Sequence, residues 1–181
     1  MDTNKLKFTR LQAELFGFLC ENVGRETNQS FLAKNLRVSS TAIAKALVYL
    51  EKNNLVSIKK DKLMNLNLIQ LNRENSRVVY LKRVENLRAI YESGLIEYLE
   101  EAFLGSTLVL FGSYSKGEDT IKSDIDLAII GCKEKKLSLS QFEEFLKKEV
   151  IINFYSSFKE INKELKESSC NGIVLSGGIE L

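Results

Sequence analysis

The first part of the chain combines a helical pattern of hydrophobic positions with an alternating one. Apolar residues recur every three or four positions in three segments, which predicts three helices: 6–23, 28–36 and 40–53. Apolar and polar residues then alternate over 55–60 and again over 64–71, on either side of the polar stretch Lys60-Asp61-Lys62. Two such runs about a short turn predict a β-hairpin. The expected order is therefore three helices followed by two paired strands.

The rest of the chain begins as a long helix and continues as short strands. Residues 75–103 keep the helical spacing, with Val84 and Tyr91 on the expected apolar side and a break at Gly94. Short apolar runs rich in branched and aromatic residues then predict three strands: 108–111, 125–130 and 150–155. Helices are expected between and after them: 112–116, 139–148 and 158–169. The pattern divides the chain into a first domain, a connecting helix and a second domain: 1–72, 73–104 and 105–181.

The composition limits the possible kinds of catalysis mainly because histidine is absent. The chain of 181 residues is 44% hydrophobic and 28% charged, which is ordinary for a globular protein. It contains no histidine, so Ser–His or Cys–His catalysis and His-ligated zinc are excluded within this chain. The three cysteines are far apart and lack Cys-x-x-Cys spacing, so they are expected to be buried small hydrophobes. Without a run of about 20 apolar residues or a signal-peptide core, no membrane association and a cytoplasmic location are expected.

Two acidic residues stand at the entrance of the second predicted strand. Asp124 and Asp126 flank Ile125, and side chains two apart on a strand point to the same face, so both carboxylates converge on one spot. Adjacent carboxylates repel each other unless a cation lies between them or one is protonated. Gly112-Ser113 directly follow the preceding strand, and the free N–H groups of a helix start suit a phosphate. These residues predict a metal–triphosphate site, against the simpler alternative that the aspartates only cap a strand and Gly112 only turns the chain.

The string Phe111-Gly112-Ser113, ten residues, then Asp124-Ile125-Asp126-Leu127 resembles the signature of the DNA polymerase β-like nucleotidyltransferase superfamily, in particular its minimal nucleotidyltransferases. Lys116 stands where Arg is usual, and Ser115 where Ala is usual. The resemblance implies transfer of an NMP from an NTP, with ATP as the expected nucleotide, to a hydroxyl of a protein, a tRNA or a small molecule. It implies that Asp124 and Asp126 are catalytic and hold two Mg²⁺ ions. It also implies four nucleotide-binding residues: Gly112, Ser113, Lys116 and Ser123.

The resemblance is incomplete at one position. The superfamily normally adds a third carboxylate on the next strand, where it holds the catalytic metal and deprotonates the acceptor hydroxyl. This sequence offers Asn153 in that strand, with Glu149 just before it as the nearby substitute. A general base is typically worth about 10²–10⁴ in rate. A domain without it is expected either to transfer slowly or to bind a nucleotide without turnover.

The first domain resembles the winged helix-turn-helix of MarR-like and ArsR-like regulators. The resemblance is carried by the three helices, the hairpin and the segment TAIAKALVYLEKNNLVSIKK. Residues 1–72 hold 11 Lys and Arg against 6 Asp and Glu, whereas 73–181 hold 15 against 18. A basic first part and an acidic second part indicate two units with different partners.

The winged-helix resemblance implies a DNA-binding surface on two elements. Ser40, Thr41 and Lys45 on the third helix are expected to face the major groove. Lys59, Lys60 and Lys62 on the wing are expected to contact phosphates. The alternative is a protein-interaction module in which these lysines are only a solvated face.

The expected fold class is α+β, with an N-terminal winged helix-turn-helix domain and a C-terminal polymerase β-like nucleotidyltransferase domain with a short mixed sheet. The first hypothesis is a Mg²⁺-dependent nucleotidyltransferase with a nucleic-acid-binding winged helix. The second is a DNA-binding transcriptional regulator whose second domain binds a nucleotide with little or no turnover. A homodimer formed through the connecting helix is a further expectation.

Overall fold

The computed structural model describes residues 6–61, 66–160 and 172–178, and the chain divides into two compact units, Met1–Val78 and Val79–Leu181. Lys62 and nearly all of the helix predicted over 158–169 lie outside the described residues; its first three residues form a 3-10 turn, Phe158–Glu160. In the part of the chain that is described, no helix is both long enough and apolar enough to cross a membrane.

The N-terminal unit contains three helices and three short strands. In chain order these are α1 Arg10–Glu21, β1 Thr27–Asn28, α2 Gln29–Leu36, α3 Ser40–Lys52, β2 Val56–Asp61 and β3 Leu66–Leu71. The strands form one antiparallel sheet in the order β1-β3-β2, so β2 and β3 are the predicted hairpin. This element order and pairing is that of a winged helix, with α2 and α3 as the helix-turn-helix pair.

Local sequence signals set the ends of these helices. Thr9 and Gln12 form a capping box at the start of α1, and the side chain of Asn28 accepts a hydrogen bond from Phe31 N at the start of α2. Ser39 caps α3, and its hydroxyl accepts a hydrogen bond from Ala42 N. Asn54 turns the chain out of α3 with φ of 55°. Inside the unit, apolar residues of all three helices are buried: Leu15, Phe16, Leu19, Leu32, Ile43, Leu47 and Leu50.

The C-terminal unit contains a mixed four-stranded sheet and several helices. Its elements are α4 Ser76–Glu92, α5 Leu95–Ala102, β4 Thr107–Phe111, α6 Gly112–Lys116, β5 Ile125–Ile130, α7 Ser140–Leu146, β6 Val150–Tyr155 and β7 Ile173–Ser176. The strand order is β6-β5-β4-β7. Strand β5 runs parallel to β6, whereas β4 is antiparallel to both β5 and β7. The α+β class and the short mixed sheet are confirmed, and β7 is a strand that the sequence pattern did not predict.

The two faces of this sheet have different surroundings. Alternate residues of β4, β5 and β6 pack on one face with α5 and α7 in the larger core cluster: Leu108, Leu110, Ile125, Leu127, Ile129, Val150 and Ile152. The other face carries a smaller cluster: Val109, Phe111, Ala128 and Ile130, with Tyr155 and Phe158 against it. Because strand side chains alternate, Asp126 belongs to this second face.

The predicted apolar side of the long helix is partly wrong. Val84 is 60% exposed and Tyr91 is 48% exposed, whereas Lys82 and Asn86 are buried, at four-residue spacing with Ile90. The two polar residues are buried because partners in the same unit satisfy them, as described below. The sequence pattern set 73–104 apart as a connecting helix. In the structure Ile90 and the apolar residues of α5 instead lie in the same core cluster as the sheet.

Candidate functional site

The paired aspartates lie at the beginning of β5. Asp124 is exposed and directly precedes the strand, and Asp126 is half-buried as its second residue. Asp126 pairs in register with Phe111, the last residue of β4, so it lies beside the turn from β4 into α6. Strand β5 therefore places Asp126 beside the Gly112-Ser113 turn, and Asp124 directly precedes the first residue of the strand.

Gly112 leaves room for one of these carboxylates. It has φ of 70°, and a Cβ built there would collide with Oδ2 of Asp126 and lie 3.0 Å from its Cγ. Only a glycine combines that backbone conformation with so close an approach. The backbone of the turn and the carboxylate of Asp126 are therefore in direct contact.

Asp126 is in an unfavourable place for an ionised carboxyl group. Burial raises the pKa of Asp126 above its usual value, and the neighbouring Asp124 raises it further. Strained pairs of this kind are typical of functional sites. Carboxylate oxygens are the ligands that Mg²⁺ prefers, and a divalent cation between the two groups would remove their repulsion. The two carboxylates are therefore suitable ligands for a divalent metal ion.

The predicted nucleotide-binding residues surround the same turn. Gly112 and Ser113 begin α6, exposed Lys116 ends it, and Gly117 stops the helix in the left-handed conformation with φ of 76°. The hydroxyl of Ser123 accepts a hydrogen bond from Thr120 N at 3.0 Å, so it closes a turn just before Asp124. The first three of these residues thus lie around the turn, and Ser123 supports the loop that delivers Asp124.

Strand β6 brings no third acid beside the pair. The register places Ile151 opposite Asp126, and Asn153 lies two residues further along, opposite Ala128. Glu149 is exposed, and its carbonyl oxygen accepts a hydrogen bond from Ile125 N at 2.9 Å. Among the residues that the structure describes, no group of three His, Cys, Asp or Glu side chains is placed to hold a metal ion. Ile151, a position that the sequence pattern did not single out, is thus the β6 residue nearest in register to the pair.

A buried polar cluster next to the site was missed at the level of the sequence. It consists of Lys82 and Asn86 on α4, Asp119 in the loop after α6, and Lys148 before β6. All four side chains are nearly inaccessible to solvent. The available signal was the four-residue spacing of Lys82, Asn86 and Ile90, which places two polar residues in line with an apolar one.

The predicted DNA-binding residues occupy the surface of the N-terminal unit. Ser40, Thr41 and Lys45 are exposed along α3, and Lys59 and Lys60 are exposed on β2. Lys62 lies outside the described residues. The two groups of residues thus belong to the third helix and the first wing strand, as expected.

Residues 92–175 match the family model of the nucleotidyltransferase domain. The match covers α5, β4 to β6, all but the last residue of β7, and the Asp124–Asp126 pair. The C-terminal unit carries a nucleotidyltransferase domain. No curated protein sequence matches the chain. The predicted resemblance of this part of the chain is therefore confirmed at the level of the family.

Several solved bacterial regulators are loosely similar to this chain in structure. The adhesin competence repressor of Streptococcus pyogenes is 18% identical, with a TM-score of 0.44 over 56% of this chain and 71% of its own. A point mutant of ZitR from Lactococcus lactis is 19% identical, with a TM-score of 0.42 over 57% and 67%. MepR of Staphylococcus aureus, a transcription regulator of a multidrug efflux pump, is 21% identical, with a TM-score of 0.42 over 53% and 69%. The winged-helix assignment itself depends on the element order and strand pairing of the N-terminal unit.

The contact between Gly112 and Asp126 predicts a specific effect of a methyl group at this position of the nucleotidyltransferase domain. Gly112→Ala should turn the carboxylate of Asp126 away and weaken Mn²⁺ binding, measured by calorimetry, by about 10–100-fold. The left-handed φ should in addition lower the free energy of unfolding by about 1–2 kcal/mol. Gly105→Ala is the matched control, because Gly105 has φ of 80° but nothing within 4 Å of a built Cβ. Equal Mn²⁺ affinity in the two variants would contradict the proposed contact.

The raised pKa of Asp126 predicts that the metal-free protein is destabilised by its own site. Because the folded-state pKa lies above the unfolded-state value, ionised Asp126 lowers stability at neutral pH, and this penalty disappears as the pH falls below the unfolded-state pKa. Asp126→Asn should therefore raise the melting temperature of the metal-free protein at neutral pH. The gain should shrink as the pH is lowered through the acidic range. Thermal unfolding followed by circular dichroism measures both effects, with exposed Glu149→Gln as the control that should show neither.

Proposed function

We propose that this protein is a Mg²⁺-dependent nucleotidyltransferase that transfers an NMP from an NTP, with ATP as the expected nucleotide, to a hydroxyl acceptor. The observation that carries the proposal is the contact of the Gly112 turn with Asp126, next to Asp124, inside a nucleotidyltransferase domain. Two carboxylates and a glycine-containing turn are what a metal-bound triphosphate requires. Oxygen ligands suit the metal, and backbone N–H groups suit the phosphates.

Each residue has a defined part in the proposed reaction. Asp124 and Asp126 would hold Mg²⁺, which supplies charge stabilisation to the phosphates of the bound NTP. The backbone at Gly112 and Ser113 would orient the β- and γ-phosphates, and exposed Lys116 would offset their charge. The acceptor hydroxyl loses its proton to solvent as its oxygen forms a bond to the α-phosphorus, and the bond from that phosphorus to the bridging oxygen breaks, releasing pyrophosphate. Positioning and electrostatics supply most of the rate enhancement in phosphoryl-type transfer.

One feature of β6 favours a second candidate function. Ile151 offers neither a metal ligand nor a base at the position opposite Asp126, and Asn153 and Glu149 lie on either side of it along the strand. A missing general base lowers a rate by about 10²–10⁴ while leaving nucleotide binding in place. The alternative is therefore a nucleotide-sensing DNA-binding regulator with little or no turnover.

We further propose that the N-terminal unit binds DNA. Support comes from a winged helix whose third helix exposes Ser40, Thr41 and Lys45 and whose wing strand exposes Lys59 and Lys60. The excess of Lys and Arg over Asp and Glu in residues 1–72 also supports DNA binding, because non-specific DNA affinity comes from contacts between basic side chains and phosphates. The helix residues would contact base edges and the lysines the backbone.

The nucleotidyltransferase proposal is tested by following label from [α-³²P]ATP with Mg²⁺ in cell extract and, separately, by measuring nucleotide affinity. Asp124→Asn combined with Asp126→Asn should abolish Mg²⁺-dependent nucleotide binding while the fold survives. Ile151→Asp should raise transfer by about 10²–10⁴, because it adds a ligand and base opposite Asp126. Asn153→Asp is the matched control, because it adds the same acid to β6 two residues further along, opposite Ala128 and not Asp126. It should raise the rate of transfer less than Ile151→Asp.

These outcomes separate the enzyme from the alternatives. Unchanged nucleotide affinity in the double aspartate variant would refute a metal–nucleotide site. Nucleotide binding without label transfer, in both the native chain and Ile151→Asp, would favour the sensor. A larger gain for Asn153→Asp than for Ile151→Asp would identify Asn153 as the position of the third acid.

The DNA-binding proposal predicts a steep dependence on salt. Each phosphate contact contributes about −0.9 to the slope of log affinity against log salt concentration. Lys59→Ala combined with Lys60→Ala should therefore flatten the slope by up to about 2 and weaken all sequences alike. Lys135→Ala with Lys136→Ala removes the same charge from an exposed loop outside the winged helix and is the matched control. Thr41→Ala and Lys45→Ala should instead change sequence preference, measured by fluorescence anisotropy with several duplexes.

Adding Mg²⁺ and NTP to the same DNA titration distinguishes the two functions. Thermodynamic linkage requires that a nucleotide sensor bind its nucleotide with different affinity in the free and DNA-bound states. A shift in DNA affinity without pyrophosphate release supports the regulator, and pyrophosphate release with unchanged DNA affinity supports the enzyme. Absence of DNA binding at low salt would leave the winged helix as a protein-interaction module.

A further inference from the structure

The loop from Gly117 to Asp124 contains a charged side chain that is buried rather than exposed. Asp119 is 1% exposed, although it lies in a connection between a helix and a strand. A buried carboxylate is stable only when it is paired and hydrogen-bonded. Both of its oxygens are engaged within the nucleotidyltransferase unit, and their partners come from two different elements.

Helix α4 supplies the first set of partners. Lys82 Nζ donates to Oδ1 of Asp119 at 2.5 Å, and Asn86 Nδ2 donates to the same oxygen at 2.7 Å. Asn86 Nδ2 also donates to the carbonyl oxygen of Tyr114 at 2.9 Å. Asn86 therefore connects the end of α6 to the loop that follows it. The same helix packs closely against Gly117, because a Cβ there would collide with the carbonyl oxygen of Val79.

Lys148 supplies the second set of partners and extends the cluster to the loop backbone. Its Nζ lies 3.4 Å from Oδ2 of Asp119 and donates to the carbonyl oxygens of Thr120 at 2.5 Å and Ser123 at 3.1 Å. Both residues are partly buried, so these hydrogen bonds replace contacts that water would otherwise make with their carbonyl groups. Lys148 thus holds both ends of the Thr120–Ser123 turn.

The backbone on either side of Asp124 is fixed by two consecutive residues. The carbonyl of Ser123, just before it, accepts from the side chain of Lys148, and the N–H of Ile125, just after it, donates to the carbonyl of Glu149. Asp124 itself is exposed and next to a like charge. Repulsion from Asp126 would move a loosely held Asp124 away from its partner. The hydrogen bonds made by Lys148 and Glu149 on either side of Asp124 oppose that movement.

We propose that Lys82, Asn86, Asp119 and Lys148 are positioning residues that hold the Thr120–Asp124 segment so that Asp124 stays beside Asp126 in the absence of metal. The inference rests on the proposed metal–nucleotide site and adds the part of the chain that keeps its two ligands together. Metal sites held in advance by supporting hydrogen bonds bind more tightly than sites that must be assembled by the metal. Lys148 is the member whose contacts reach the residue before Asp124, so it has the largest expected effect.

Lys148→Met is the decisive variant. Asp119 keeps its contacts with Lys82 and Asn86, whereas the hydrogen bonds to the carbonyl oxygens of Thr120 and Ser123 are lost. Lys147→Met is the matched control, since Lys147 is the adjacent exposed lysine at the end of α7. The measurement is calorimetric binding of a non-hydrolysable ATP analogue to the full chain, with and without Mn²⁺, next to thermal unfolding. The expected result is a loss of about 10–100-fold in Mn²⁺-dependent affinity, with Mn²⁺-independent affinity unchanged. Lys148→Arg, which retains the charge and several donors, should recover most of the loss.

Each outcome decides the question. Mn²⁺-dependent binding that is equal in Lys148→Met and Lys147→Met overturns the positioning role and leaves the proposed function intact. An equal loss of affinity with and without Mn²⁺, together with a lower melting temperature, shows a merely structural cluster and also overturns it. Absence of Mn²⁺-dependent binding in the native chain refutes the proposed function and the positioning role with it. If Lys148→Met does not fold, Lys148→Gln, which keeps one amide donor and removes the charge, undergoes the same comparison with an intermediate loss expected.

Discussion

The mutual repulsion of Asp124 and Asp126 is the constraint around which the C-terminal unit is built. A β-strand puts residues two apart on one face whatever their charge, so the sequence forces the carboxylates together as soon as β5 forms. Burial is the first cause of the raised pKa of Asp126 and the charge of Asp124 is the second, so both make the ionised pair unfavourable. Two ionised carboxylates held close together destabilise the folded protein when no cation is bound. Binding of a cation between them would relieve this repulsion, so the same arrangement favours cation binding. The turn at Gly112 and the loop before Asp124 both serve to keep that arrangement.

The same constraint accounts for polar side chains inside the unit. A loop that carries a metal ligand next to a like charge must be held by more than its own backbone. Lys148 provides that support to the carbonyls of Thr120 and Ser123, and Asp119 joins Lys148 to α4. Removing one member of such a buried network takes a partner from every group that it contacts, so the members of the cluster are energetically coupled. The polar face of α4 therefore belongs to the functional site although it lies outside the signature.

The two units combine different kinds of chemistry on one chain. The N-terminal unit has an exposed helix and wing strand with polar and basic side chains, whereas the C-terminal unit places two aspartates at the beginning of β5. Ile151 lies opposite Asp126 in the strand register, so the proposed metal–nucleotide ligands have no acidic side chain beside them at that position of β6. Any coupling between nucleotide and DNA would then be reciprocal, with each ligand changing the affinity for the other by the same factor.

Local signals in the sequence determined most of the elements and the centre of the site. Helix caps at Asn28 and Ser39, the left-handed residue Asn54, the alternation in β2 and β3 and the apolar runs of β4 and β5 depend on a few neighbouring residues. They can therefore be recognised from the sequence without the fold. The Gly112-Ser113 turn and the Asp124–Asp126 pair were predictable for the same reason, since their spacing along one strand and one turn fixes their geometry.

Contacts between distant segments were decided only by the tertiary structure. The parallel register of β5 and β6 placed Ile151 rather than Asn153 opposite Asp126, and no local pattern encodes a register between strands that are connected by a helix. Likewise, the polar face of α4 is buried only because Asp119, 37 residues from Lys82 along the chain, supplies its charge partner. A hydrophobic pattern assigns polar residues to solvent, and it fails where a buried charge finds its partner through the fold.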